Sequence, residues 1–132
     1  MSDEVPCRVL LVDDDESLRD LLKLILLKFG VEIVCEASNG EEGLAAFKEH
    51  QPDIVFLDID MPVKNGTETL KELMEITPDA FVVMLTAISS MDTADACVEA
   101  GARSYIRKGA SPNILNTLLK TQLDSFRGSQ LA

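Results

Sequence analysis

The sequence predicts a doubly wound α/β fold built on a five-stranded parallel sheet, and three observations carry that prediction. Short runs rich in Val, Ile and Leu alternate with amphipathic segments of helical length. Three of the runs are apolar almost without a break, the pattern of strands covered by helices on both faces. Capping and helix-ending residues punctuate the junctions between the two kinds of segment.

The elements follow in order. CRVLLVD (7–13) reads as the first strand, and a helix over 16–29 follows, capped by Asp15 and ended by Gly30. EIVCEA (32–37) is the second strand, and Asn39 caps a helix over 40–50 that closes on His50, the single histidine. Within that helix Gly43 stands where Ala would favour helix by roughly 1 kcal/mol. DIVFLD (53–58) is the third strand; Met61-Pro62 and Gly66 shape the turn into a helix over 66–76. AFVVMLT (80–86) precedes a helix over 90–100 followed by Gly101, and SYIRK (104–108) is the last strand. Ser111-Pro112 supplies a cap and first-turn proline for a helix over 112–126, leaving GSQLA as an expected frayed end. Right-handed crossovers between successive parallel strands place helices on both faces of the sheet.

Composition narrows the function. A chain of 132 residues is expected to form one domain, 1–132, with its core over about 7–126. The net charge of -11 repels a phosphate backbone, and Lys23, Lys28, Lys64 and Lys71 are scattered, so no nucleic-acid groove is expected. Cys7, Cys35 and Cys97 are odd in number and far apart, which fits reduced thiols in a cytoplasmic protein rather than a disulfide framework or zinc site. The acidic start MSDEVPC carries no export signal, and the apolar runs are too short to span a membrane. One histidine without a Ser or Cys partner excludes hydrolase triads.

In a parallel sheet the C-terminal ends of all strands lie on one edge, where ligand sites form. The predicted strands deliver Asp13 and Asp14, Asp58, Thr86 and Lys108 to that edge. Each alone has an ordinary reading: Asp58 as a solvated cap, Thr86 as a strand residue, Lys108 as a surface amine, Asp15 and Glu16 as a charged helix start. Together they form an all-oxygen cluster suited to Mg²⁺ beside an amine and a hydroxyl, a set that handles phosphate. A carboxylate among them is a candidate nucleophile, so Asp58 is placed to receive a phosphoryl group.

With LLVDDDESLR, ASNGEEGL, DIVFLDIDMPVKNG, VVMLTA and GARSYIRK in place, the chain resembles the CheY-like receiver domains of two-component response regulators over about 7–126. The resemblance implies a flavodoxin-like sandwich with strand order 2-1-3-4-5. It implies Asp58 as phospho-acceptor and Mg²⁺ held by Asp14 directly, by Asp13 through water, by Asp58 and by the backbone carbonyl of Asp60. It makes Thr86 and Lys108 the residues that bind phosphoryl oxygens, and couples Thr86 to the ring of Tyr105 as a switch. Read by itself, Tyr105 is a half-buried aromatic. The side chains of Asp60 and Ile88 would flank the path of the attacking water.

The partners so implied are a sensor histidine kinase or phosphotransfer protein and a downstream protein, with the chain a monomer or a phosphorylation-dependent dimer. It would be a phosphoryl acceptor that catalyses its own loading and hydrolysis, not an enzyme acting on other substrates. No output segment follows the fifth helix in this sequence, so the expectation is a stand-alone receiver or one separated from a longer chain. The sequence departs from the family after the lysine, where Lys108-Gly109-Ala110 replaces the usual Lys-Pro; this loosens the placement of Lys108 and leaves Arg107 as a competitor.

Three rival readings compete with this one. A degenerate, phosphorylation-independent interaction module lacks an acceptor or metal residue, and here all are present. A flavin or nucleotide binder needs a Gly-rich phosphate loop where DDDES stands. A metal-dependent phosphatase needs a substrate pocket or cap that so short a chain hardly provides. One pattern is left over from the core: Leu18, Leu21, Leu22, Ile25 and Phe29 share a face of the first helix, whereas Leu24 and Leu27 point away from it and are candidates to dock a helical phosphodonor.

Overall fold

The computed structural model describes residues 6–130. Most of the acidic start MSDEVPC and the last two residues of the GSQLA tail lie outside the described residues. Five parallel strands, β1 (Arg8–Val12), β2 (Glu32–Ala37), β3 (Ile54–Asp58), β4 (Phe81–Thr86) and β5 (Ser104–Arg107), pair in the order 2-1-3-4-5. Between and after them run α1 (Glu16–Leu27), α2 (Gly40–His50), α3 (Gly66–Ile76), α4 (Met91–Glu99) and α5 (Pro112–Ser129). The expected fold class and strand order are the ones found.

Alternation along the strands divides the core in two. Val9 and Leu11 of β1, Phe56 of β3 and Val83 and Leu85 of β4 face α1 and α5, packing on Leu22, Ile25, Leu26, Leu115, Leu119 and Leu123. Leu10, Val12, Val55, Leu57, Val82 and Met84 face the other way, onto Phe47, Leu70, Leu73, Ala94 and Cys97 of α2, α3 and α4. Both sets are apolar because each central strand is buried on two sides, which is why the sequence shows unbroken apolar runs. On α1, Leu26 joins the buried stripe, while Leu24 and Leu27 are 66% and 54% exposed.

The predicted caps Asp15, Asn39 and Ser111 form, their side chains accepting hydrogen bonds from the backbone N–H groups of Leu18, Glu42 and Ile114, and Asn65, not anticipated from the sequence, caps α3 through the Glu68 N–H. Two helix ends differ from expectation. α1 stops at Leu27 because the N–H groups of Phe29 and Gly30 reach back three residues, to Leu26 and Leu27, tightening the last turn. α5 continues through Ser129 instead of fraying after 126, since Phe126 meets Phe81 edge-on at 5.5 Å and the Arg127 guanidinium donates to the Phe29 carbonyl at 3.1 Å.

Gly43 is not the weak point that helix propensity makes of it. It is where α2 crosses β1, and a Cβ there would lie 2.9 Å from Cγ1 of Val12, a stiff side chain buried in the sheet. Gly43→Ala is therefore expected to lower stability by about 1 kcal/mol in urea unfolding, overpacking outweighing the helix preference. A stability gain would show that α2 can lift off β1 without cost.

Candidate functional site

Each strand end delivers its residue by a backbone bond that extends the ladder one step past the strand. The Asp13 N–H donates to the Ala37 carbonyl at 3.0 Å, and the Lys108 N–H donates to the Thr86 carbonyl at 2.9 Å. Asp58 and Thr86 are the last residues of β3 and β4. Carboxylate oxygens of Asp13, Asp14 and Asp58 all lie within 4.8 Å of one another, with Asp13 and Asp58 buried and Asp14 exposed at the rim. The Lys108 ammonium is 3.1 Å from Asp13 Oδ2 and 3.1 Å from Asp58 Oδ1. Lys108, not the exposed Arg107, is thus the residue at the site, held by its backbone bond to Thr86 and its two ion pairs, with an ordinary trans peptide to Gly109.

The acids sit in an unfavourable place. Burial, then the neighbouring Asp13, pushes the Asp58 carboxyl up to about 7 despite Lys108. Burial also raises Asp13, although its Oδ1 accepts from the Asp15 N–H at 2.8 Å. Lys108 is raised in turn, the attraction of the two acids outweighing its own desolvation. Asp58 Oδ2 has no hydrogen-bond partner, and Asp13 Oδ2 faces only the ammonium, off hydrogen-bond geometry. With all three carboxylates ionised, one ammonium leaves two negative charges around oxygen atoms with unused lone pairs, two of them buried. A hard divalent cation with oxygen preference fits that deficit, and Asp13, Asp14 and Asp58 are the side chains that would hold it.

Asp60 stands apart from the trio: its carboxylate accepts from the Ser90 hydroxyl at 2.6 Å. The β3–α3 loop that carries it is tightly built. Gly66 donates its N–H to the Ile59 carbonyl at 2.7 Å, and a Cβ there would sit 2.0 Å from the Asp58 carbonyl oxygen, so only glycine lets α3 begin this close to β3. Thr86 is fully buried and its hydroxyl donates to the Ala87 carbonyl at 2.9 Å. Tyr105 is half-buried against the α2–α4 core, and the Asp95 carboxylate beside it raises its phenol. The register pairs Tyr105 with Met84, so Tyr105 and Thr86 share one face of the sheet.

The site also holds residues that sequence reasoning missed. The Arg19 guanidinium donates to the Asp13 carbonyl and, at 3.0 Å, to Glu36, which also takes Lys23 at 2.9 Å. The sequence signal is a basic residue near a helix N-terminus, where the dipole disfavours it unless acids lie close by. Ser90 had no comparable signal, because its partner Asp60 lies on another loop.

The profile of the response regulator receiver domain matches residues 9–120. The chain belongs to that family. The receiver is 41% identical over 106 residues to the chemotaxis protein CheY of Thermotoga maritima, covering 80% of this chain and 88% of that one. It is 37% identical over 115 residues to CheY of Bacillus subtilis, covering 86% and 96%. Among solved structures it is similar to CheY of Borrelia burgdorferi in a complex with CheX, beryllofluoride and Mg²⁺, with TM-score 0.83, 31% identity, and 92% of this chain and 89% of that one covered. Among the described residues, no helix is long and apolar enough to cross a membrane.

The raised Asp58 pKa fixes a sign. The folded receiver binds this proton more tightly than the unfolded chain does, so without divalent metal its stability falls as pH rises from about 4 toward 7. In EDTA, Asp58→Asn is expected to be the more stable protein, its advantage growing by about 2 kcal/mol between pH 5 and pH 8. Saturating Mg²⁺ should remove most of that growth. A gap independent of pH would mean that Asp58 ionises in the fold at no cost.

Proposed function

We propose that this receiver takes a phosphoryl group from a phosphohistidine onto Asp58 and signals through a protein partner. The observation that carries the reading is the buried Asp58 carboxylate bridged to Asp13 by Lys108, with its second oxygen unpartnered. That oxygen is the nucleophile: a bond forms from it to phosphorus, the P–N bond breaks, and its electron pair stays on the donor imidazole. Lys108 neutralises charge on the phosphoryl oxygens, and Thr86 turns its hydroxyl from Ala87 toward them. Mg²⁺, held by Asp13, Asp14, Asp58 and the Asp60 carbonyl, would supply the remaining positive charge.

Water attack on the same phosphorus resets the site, which makes the protein its own phosphatase and not an enzyme for external esters. Asp60 and Ile88, the latter 71% exposed, flank that approach. The movement of Thr86 is transmitted to Tyr105 on the shared sheet face and alters the surface of α4, β5 and α5 on which the downstream protein docks. The relative seen in a complex with the protein CheX supports a protein as a binding partner.

Intact mass after incubation with Mg²⁺ and a small phosphodonor is expected to show one base-labile phosphoryl group, absent in Asp58→Asn and absent without Mg²⁺. No adduct in the wild type at any Mg²⁺ concentration would leave the interaction-module reading. We further place the phosphodonor on α1, where Leu24 and Leu27 are exposed. Leu24→Asp with Leu27→Asp is expected to slow transfer from the histidine-phosphorylated donor protein at least tenfold, as loss of apolar anchors does at interfaces. Loading by the small phosphodonor should stay unchanged; equal slowing of both would locate the defect in the fold, not in docking.

A further inference from the structure

As it stands, the site is closed to the reaction proposed for it. The Asp58 side chain is 2% exposed, its free oxygen is buried, and the Thr86 hydroxyl is bonded to the Ala87 carbonyl. A phosphoryl group must arrive in line with the attacking oxygen and present its peripheral oxygens to fixed donors. The segment after Thr86 therefore has to shift before that hydroxyl can serve.

The segment is lightly held. It forms a 3-10 turn, Ile88–Ser90, that buries no residue, and Ala87, Ile88 and Ser89 are exposed. Besides the Thr86 hydroxyl on the Ala87 carbonyl, one side-chain bond among the described residues ties it down: the Ser90 hydroxyl donates to Asp60 Oδ2 at 2.6 Å, the length of a charge-assisted hydrogen bond. Ser90 is also the residue at the N-cap position of α4, yet it makes no capping bond, whereas Asp15, Asn39, Asn65 and Ser111 all cap their helices. Its hydroxyl has two competing uses, and in this arrangement the strap to the β3–α3 loop has won.

We infer that the Ser90–Asp60 hydrogen bond is a latch that holds the β4–α4 loop closed, and that its release frees Ser90 to cap α4 as the loop moves to the loaded acceptor. Ser90 is a positioning residue, acting through Asp60 and the loop rather than on the phosphoryl group. The inference rests on the phospho-acceptor reading of Asp58. In a two-state loop, whatever weakens only the closed arrangement tightens apparent binding of a ligand that selects the open one, by the same factor.

The test uses the whole chain with saturating Mg²⁺ and beryllofluoride as probe, bound fraction being read by fluorine NMR. Ser90→Gly cuts the latch but leaves a residue tolerated at an N-cap, and is expected to bind about 3- to 10-fold tighter. Ser90→Thr keeps the hydroxyl and should stay within about twofold of wild type, a rescue that general loosening of the loop does not give. Asp60→Ala should tighten binding as Ser90→Gly does, and combining the two should add less than about twofold, since both cut one bond. Without beryllofluoride, amide exchange over residues 87–93 should quicken in Ser90→Gly and Ser90→Ala but not in Ser90→Thr.

Wild-type affinity in Ser90→Gly, or effects of Ser90→Gly and Asp60→Ala that multiply, would overturn the latch while leaving Asp58 as acceptor. Absence of any adduct on the wild type would overturn the acceptor reading and the latch together.

Discussion

Two carboxylates buried side by side at the ends of adjacent strands are the constraint on which the rest of the structure depends. β1 and β3 pair in register, so Asp13 and Asp58 emerge next to each other whatever the loops do. Neither is exposed enough for water to screen the other, and both are pushed toward protonation. Lys108 is the nearest remedy, one ammonium shared between two acids, and its own position depends on β5 continuing the ladder by one bond to Thr86. The fold thus holds an excess of negative charge of the kind that a divalent cation neutralises.

The loops around this deficit are built to different standards. The β3–α3 loop is locked: Gly66 closes on the Asp58 carbonyl, Asn65 caps α3, and the Lys64 carbonyl accepts from the Gly40 N–H at 3.0 Å, joining the loop to the start of α2. Behind it Thr69 is fully buried and bonded to the Asn65 carbonyl at 2.8 Å. The β4–α4 loop has exposed side chains and leads into a helix without a side-chain cap. Motion is expected where few apolar contacts and solvent-exposed backbone coincide, which places it in the second loop and leaves β3 rigid.

That difference bears on how charge at one edge reaches a distant surface. Thr86 is both the last residue of β4 and the first anchor of the β4–α4 loop, while Tyr105 lies on the same sheet face one strand over. Under the proposed function, a change in the Thr86 hydroxyl bond is passed to the β5–α5 groove, whose lining includes Tyr105, Ile114 and Leu118. Two packed alternatives, not gradual bending, are what a dense core permits.

Much of this was legible in the sequence because it is local or periodic. Apolar runs gave the central strands, capping residues gave three helix starts, and the exposure of Leu24 and Leu27 followed from helical spacing alone. Asp13, Asp58, Thr86 and Lys108 were found because a parallel sheet brings strand ends together regardless of their distance in the chain. What tertiary structure decided were contacts between loops and across layers: Gly43 against Val12, Phe126 on Phe81 extending α5, Arg19 on the Asp13 carbonyl, and Ser90 bound to Asp60 instead of capping α4. The sequence by itself determined which residues arrive at the sheet edge, because strand period and strand ends are encoded locally. Only the packed fold decided which hydrogen bond each of them makes there, because competing partners differ by a few ångströms that no local pattern specifies.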